Sequence, residues 1–187
     1  MKGEGMPEQQ TSVSVKDQKV VEIVANGDLY LDLDARTCRL LVCSAILSLS
    51  SIVFDKMLNS RFREGQAGCS KREVSLPDDD AQAMTTLCRI FHHRTEAVSM
   101  TMDTQSSKNI ALLSDKYGCM NSIRPWLFMW LNEDCDERDD VESLYDKLQI
   151  AYLLDLPARF NEISWYVLLK NWRTFTHRSP YVGYDMN

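Results

Sequence analysis

Cys88 and His92 stand four residues apart in a stretch with helical periodicity, so both fall on one helix face, and His93 follows directly. A Cys/His pair at that spacing is the start of a metal site. Zinc takes about four ligands, however, and no second pair at ligand spacing exists in the chain. The reading that fits is a core cysteine followed by helix-end histidines, which suit the negative end of a helix dipole. Asp78-Asp79-Asp80 is the other concentration of ligating atoms. It lacks the glycine and the twelve-residue spacing of a calcium loop, and it fits a turn that caps the next helix. The histidines are three (His92, His93, His177), and no G-x-S-x-G, HExxH, Walker A or GxGxxG pattern occurs. We therefore expect no catalytic residues, no metal and no cofactor; a cryptic small enzyme or metal protein is the less favoured alternative.

Binding chemistry is better represented. Phe62-Arg63-Glu64 places an aromatic next to a fixed charge, the usual make-up of an interface anchor, just beyond an apolar helix face that includes Met57 and Leu58. Phe62, Glu64, Met57 and Leu58 are the candidate protein-contact residues. Trp126 and Trp130 fall on an apolar helical stripe and read as core. Trp165 and Trp172 fall off the Phe160/Ile163/Val167 stripe, and either one at an exposed surface would mark a docking patch.

The elements that must hold these residues are legible in outline. The chain has 187 residues, 44% of them apolar and 26% charged, enough for one domain with an appendage. Its net charge of −6 disfavours contact with phosphate backbones and anionic membranes. The longest apolar run, residues 40–54, is interrupted by four serines and is too short to span a bilayer. The opening MKGEGMPEQQ has no apolar core of a signal peptide. Six cysteines without a CxxC pair read as reduced thiols, four of them in apolar segments (Cys38, Cys43, Cys88, Cys119). The expected setting is cytoplasmic or nuclear.

Residues 1–18 read as a disordered arm. Residues 19–25 and 28–34 flank Asn26-Gly27 and read as a β-hairpin, with Leu29, Leu31 and Leu33 on its buried face. A third strand at 39–42 leads to a short helix at 45–49, capped by Ser44, and a second at 52–59, capped by Ser51. A strand at 73–76 and a helix bearing Met84, Leu87, Cys88 and Phe91 follow. The polar stretch after it holds one extended piece at 97–102. Then come a helix at 108–117 stopped by Gly118, and one carrying Ile123, Trp126, Leu127, Trp130 and Leu131 with Pro125 in or near its first turn. Residues 133–140 read as a solvated acidic linker, 141–175 as a helical pair able to fold back as an antiparallel hairpin, and 176–187 as a fraying tail. The mixture without regular βαβ alternation predicts an α+β fold.

That succession, and the residues within it, resemble the BTB/POZ family over residues 20–131. The resemblance is carried by Gly27-Asp28-Leu29, Val42-Cys43, Ala45-Ile46-Leu47, Ser51-Ile52-Val53-Phe54, Glu73-Val74-Ser75-Leu76-Pro77-Asp78, and Asp115-Lys116-Tyr117-Gly118-Cys119. Cys43 stands where many members have histidine. Fungal-type members look most similar, because they continue into a helical segment like residues 144–154. The resemblance implies a BTB/POZ fold at 19–132, a small mixed sheet flanked by a helical cluster, with 141–175 as a C-terminal helical extension. It implies a non-enzymatic adaptor or scaffold that contacts other proteins. Members do so by homodimerisation or by presenting a surface to a cullin-type ubiquitin ligase scaffold, and Phe62-Arg63-Glu64 matches the family's cullin-contact motif in position and type. Dimer-forming members carry an N-terminal amphipathic helix, which residues 1–17 lack. A self-associating structural or regulatory module, for example a transcription-associated one, is the alternative within the family.

Overall fold

The computed structural model describes residues 19–34, 37–59, 72–131 and 139–177. They form an α+β fold: a four-stranded mixed sheet with helices packed around it. The strands are β1 (Lys19–Glu22), β2 (Leu29–Leu33), β3 (Cys38–Val42) and β4 (Arg72–Leu76). The helices are α1 (Ser44–Ser50), α2 (Ile52–Asn59), α3 (Ala81–Phe91), α4 (Thr104–Lys116), α5 (Met120–Leu131), α6 (Val141–Leu153) and α7 (Pro157–His177).

The sheet order is β1-β3-β2-β4. The hairpin expected around Asn26-Gly27 does not form. β1 pairs parallel with β3, Val21 opposite Leu40, while β2 pairs antiparallel with β3 and parallel with β4. β3 is apolar along its last three residues and lies between β1 and β2, so the 23–28 connection must step over it. Neither Asn26 nor Gly27 has positive φ. Gly27 serves close approach instead, because a Cβ there would stand 2.8 Å from the Val42 carbonyl oxygen and 2.7 Å from the Leu41 side chain.

Alternation in β2 holds on one side: Leu29, Leu31 and Leu33 are fully buried. The other side is covered too. Arg39 of β3 clamps buried Asp32 with Nε–Oδ1 at 2.6 Å and Nη2–Oδ2 at 2.9 Å, reaches Glu73 of β4 at 3.2 Å, and lies over the Tyr30 ring. A two-pronged guanidinium–carboxylate contact across neighbouring strands fixes their register.

The start of α1 is capped from outside the helix. Cys43 is its N-cap residue and contributes no side-chain bond. Ser44, expected as the cap, donates its backbone N–H and its hydroxyl to the Asp28 carboxylate at 2.7 and 2.5 Å. Burial pushes that carboxyl up, but the Ser44 hydrogen bonds outweigh it and hold it below the usual aspartate value. Ser51 does cap α2: its Oγ accepts from Phe54 N–H at 3.0 Å and donates to the Tyr117 carbonyl at 2.6 Å. α2 is thereby tied to the end of α4, where Gly118 has φ +60° as a helix stop requires.

Asp80 caps α3 through Ala83 N–H at 2.6 Å. Asp79 turns inward and accepts from Tyr117 Oη and Lys116 Nζ. No strand forms at 97–102. A 3-10 turn covers Thr95–Ala97, and its neighbouring carbonyls are met by side chains: Arg89 donates to Ala97 O and the Trp130 indole to Ser99 O. α4 starts at Thr104 rather than 108, because Asp103 caps it by accepting from Ser106 N–H at 2.8 Å. Pro125 sits in the second turn of α5, one turn further in than expected.

α6 packs directly on α4, and α7 packs on α6. Leu144, Ile150 and Ile163 are fully or nearly fully buried and belong to the same core as the sheet-facing leucines. Of the acidic stretch, residues 132–138 lie outside the described residues. The last two aspartates bind rather than merely solvate: Asp140 caps α6 through Ser143 N–H at 2.7 Å, and Asp139 pairs with Lys147 at 2.9 Å and accepts from Lys170 through its carbonyl. α7 continues to His177, past the expected end of the helical pair. The expected arm at 1–18 and the tail beyond 177 also lie outside the described residues.

Candidate docking surfaces

Among the described residues no three His, Cys, Asp or Glu side chains gather as a metal site would need. Cys88 and His92 do meet, through the backbone. His92 is the C-cap residue of α3, and its two ring nitrogens have separate jobs. Nε2 lies 2.9 Å from Cys43 N–H and must accept from it, so Nδ1 carries the proton and donates to Cys88 O at 2.8 Å. The ring joins the start of α1 to the end of α3. Burial holds its pKa below the ordinary 6.5, against the opposing pull of the Cys88 carbonyl, with Arg94 adding to the depression. The neutral ring therefore does not complement the helix dipole as a cation would.

A stability consequence follows with a definite sign. The unfolded chain takes up a proton near pH 6.5 while folded His92 stays neutral to lower pH, so the contribution is present above that value and is lost as pH falls towards the folded pKa. Urea unfolding across about pH 5 to 7 should show stability rising with pH, and His92→Gln should flatten that rise. A slope unchanged in the variant would assign it to other groups.

The thiols of Cys88 and Cys119 are both buried and pushed up, to about 12 and about 11, chiefly by desolvation. They are neither nucleophiles nor ligands in this state. Cys38 and Cys43 are half-buried and also free. Cys69 and Cys135 lie outside the described residues.

Of the candidate contact residues, Leu58 is buried among the core side chains and Met57 is half-buried at its edge. Phe62 and Glu64 lie outside the described residues. The same two helices display apolar groups that sequence reasoning did not single out. Leu49 on α1 is 90% exposed and Ile52 on α2 is 58% exposed. Their signal is present in retrospect: both sit out of phase with Leu47, Phe54 and Leu58, which point inward.

A second exposed apolar surface is larger. Trp165, Leu168, Leu169 and Trp172 of α7 are 61%, 61%, 40% and 69% exposed and line one shallow groove. Their i, i+3, i+4, i+7 spacing places them on one stripe, half a turn from Ile163 and Val167, which face α6. Trp126 is partly buried and tilted against buried Trp130, ring centroids 5.8 Å apart, so that pair belongs to the body of the fold. Phe160, expected on the buried stripe, is exposed and leans on Tyr152 instead.

No helix among the described residues is long and apolar enough to cross a membrane. No protein-family model matches the sequence, and no curated protein matches it.

Proposed function

We propose that the chain is a non-catalytic protein–protein interaction module of BTB/POZ type, an adaptor or scaffold that presents a partner to a cullin-type ubiquitin ligase. Two kinds of observation support this reading. The described elements run strand, strand, strand, helix pair, strand, then helices, with the α1–α2 pair set between β3 and β4. That is the succession the resemblance implies, save for the strand absent at 97–102. The observation that carries the functional part is the outward face of α1 and α2, where Leu49 and Ile52 stand in solvent on the helices that lead to Phe62-Arg63-Glu64. Exposed aliphatic groups, followed a few residues on in the sequence by an aromatic–acid pair, are the residue types that supply an apolar contact with a charge that fixes its register. The acidic chain, at −6, favours basic partners.

The test is direct titration of the purified full chain with the N-terminal region of a cullin scaffold by calorimetry. Phe62→Ala combined with Glu64→Lys should weaken binding by about 30-fold or more, the scale of an interface hot spot, while the melting temperature stays in place. A parallel fall in melting temperature would make Phe62 a structural residue. Absence of binding by the unsubstituted chain would remove the ligase role.

A further inference from the structure

Few ties hold α1 to the rest of the fold. Leu47 is its one buried side chain, and Cys43, its N-cap residue, makes no side-chain bond of its own. Two contacts from outside the helix fix its start. The Asp28 carboxylate takes the N–H and hydroxyl of Ser44, and the His92 ring takes the N–H of Cys43. A short helix with so little buried surface is the kind of element that opens before the whole domain unfolds.

The contact with His92 exists in one protonation state only. Cys43 N–H can only donate, so Nε2, 2.9 Å away, must offer its lone pair. A proton on Nε2 sets two donors face to face and strips Cys43 N–H of its acceptor, beside a ring that is 8% exposed. We propose that His92 is a proton-operated latch: the neutral ring seats α1 against the end of α3, and protonation releases α1 and with it the outward Leu49 side of the docking face. Release of α1 stands on this geometry; its effect on docking rests on the adaptor reading.

The groups around the ring leave the switch to His92. Arg94 and His93, on its own segment, both oppose a charge on it. The buried thiols of Cys88 and Cys119, pushed up to about 12 and about 11 by desolvation, keep their protons. At the start of α1 the Cys43 thiol is half-buried and free. Burial raises the Asp28 carboxyl, but the Ser44 hydrogen bonds outweigh it, so Asp28 stays ionised and keeps its hold. On β3, Arg39 is committed to Asp32 and Glu73. Burial keeps the seated ring below the ordinary 6.5, so the proton favours the open form. Below about pH 6.5, opening becomes easier by up to about tenfold per pH unit until the seated ring itself titrates.

Amide exchange of the full chain, expressed as protection, reads the latch. Protection in α1 should fall about fivefold or more between about pH 7 and 5 and should barely respond to about 1 M urea, whereas that of β2 responds to urea as global unfolding does. His92→Gln keeps an acceptor for Cys43 N–H and cannot titrate, so it should remove the pH dependence in α1; His93 is present in both chains. Without any substitution, the Cys43 amide proton and the His92 ring nitrogens should titrate with one midpoint by NMR. Equal protection and equal urea response in α1 and β2 overturn the proposal, as does α1 protection that stays flat through the midpoint of the ring or persists in its pH dependence in the variant. For docking, the cullin N-terminal region should lose at least about threefold more affinity between about pH 7.5 and 5.5 for the unsubstituted chain than for His92→Gln. Identical losses overturn release of the face. No binding even at the higher pH removes the adaptor reading instead, and the exchange and NMR results decide the latch on their own.

Discussion

Replacing Asp79 by alanine should cost about 3 kcal/mol of folding stability, the sum expected for a lost charge-assisted hydrogen bond and a buried hydroxyl left without an acceptor. Asp79 is 4% exposed and receives both Tyr117 Oη and Lys116 Nζ. The two donors do not weigh equally. The Lys116 side chain is 53% exposed and regains water when the carboxylate goes, so its ion pair contributes little. Tyr117 is 2% exposed and has nowhere to turn its O–H. Asp79→Asn keeps an acceptor for the phenol and should cost roughly half as much. Tyr117→Phe on top of Asp79→Ala should recover part of the loss, because the orphaned hydroxyl is removed with its partner.

Urea midpoints at constant slope would report these differences. The same pair sets a limit at high pH. Burial first, and the Asp79 carboxylate second, push the Tyr117 phenol well above its ordinary 10.0. The folded phenol keeps its proton where the unfolded one loses it. Stability from this group is thus full below pH 10 and declines as pH rises beyond it. Asp79→Ala costing under about 1 kcal/mol would show that water reaches the phenol and that the network is weaker than its burial implies.

The Asp79–Tyr117 contact joins residues 38 apart in sequence, and nothing local announces it. Chemistry confined to neighbouring residues is legible in the sequence. The buried leucines of β2, the apolar face of α3 and the Asp80 and Ser51 caps all stand as their spacing implied. Strand partners are a different matter. Asn26-Gly27 between two β-rich runs signals a hairpin, yet β3 takes the place beside β2 and leaves β1 on its far side, at the sheet edge. The same holds for Ser44, a suitable cap by type, which is engaged by Asp28 from the connection that precedes β2.

On the candidate surfaces, Trp165 and Trp172 could be marked from their phase, since an indole off the buried stripe of a helix has few places to go but outward. Leu168 and Leu169 could not, because leucine is common on either side of a packed helix. Leu49 and Ile52 escaped notice for a related reason. In helices as short as α1 and α2 the apolar residues are too few to define a period, so inward and outward positions separate only once Phe54 and Leu58 are seen in the core.

Phe54→Ala carries the largest expected penalty, about 3–5 kcal/mol, a sizeable share of the total stability of a domain of this kind. The ring is 1% exposed and stacked on Tyr117, with centroids 4.5 Å apart and planes 5° from parallel. α2 has two ties to the end of α4: this stack and the Ser51 hydroxyl on the Tyr117 carbonyl. Alongside them, Ile52 lies so close to Gly118 that a Cβ there would come within 2.6 Å of its methyl group. Truncation removes the stack and leaves a cavity in the middle of that contact. Phe54→Leu retains most of the buried hydrocarbon and should cost less. A double-mutant cycle over Phe54→Leu and Tyr117→Leu then isolates the ring–ring coupling, expected at about 0.5–1.5 kcal/mol.

The outcome bears on the docking face as well. Leu49 and Ile52 can present a defined surface only if α2 is held in place, so Phe54→Leu, assayed well below its melting temperature, should lose affinity for a protein partner although residue 54 touches none. Full affinity in a folded Phe54→Leu chain would mean that α2 seats itself without the stack. A penalty under about 1 kcal/mol for Phe54→Ala would mean that the helix is not part of the cooperative core.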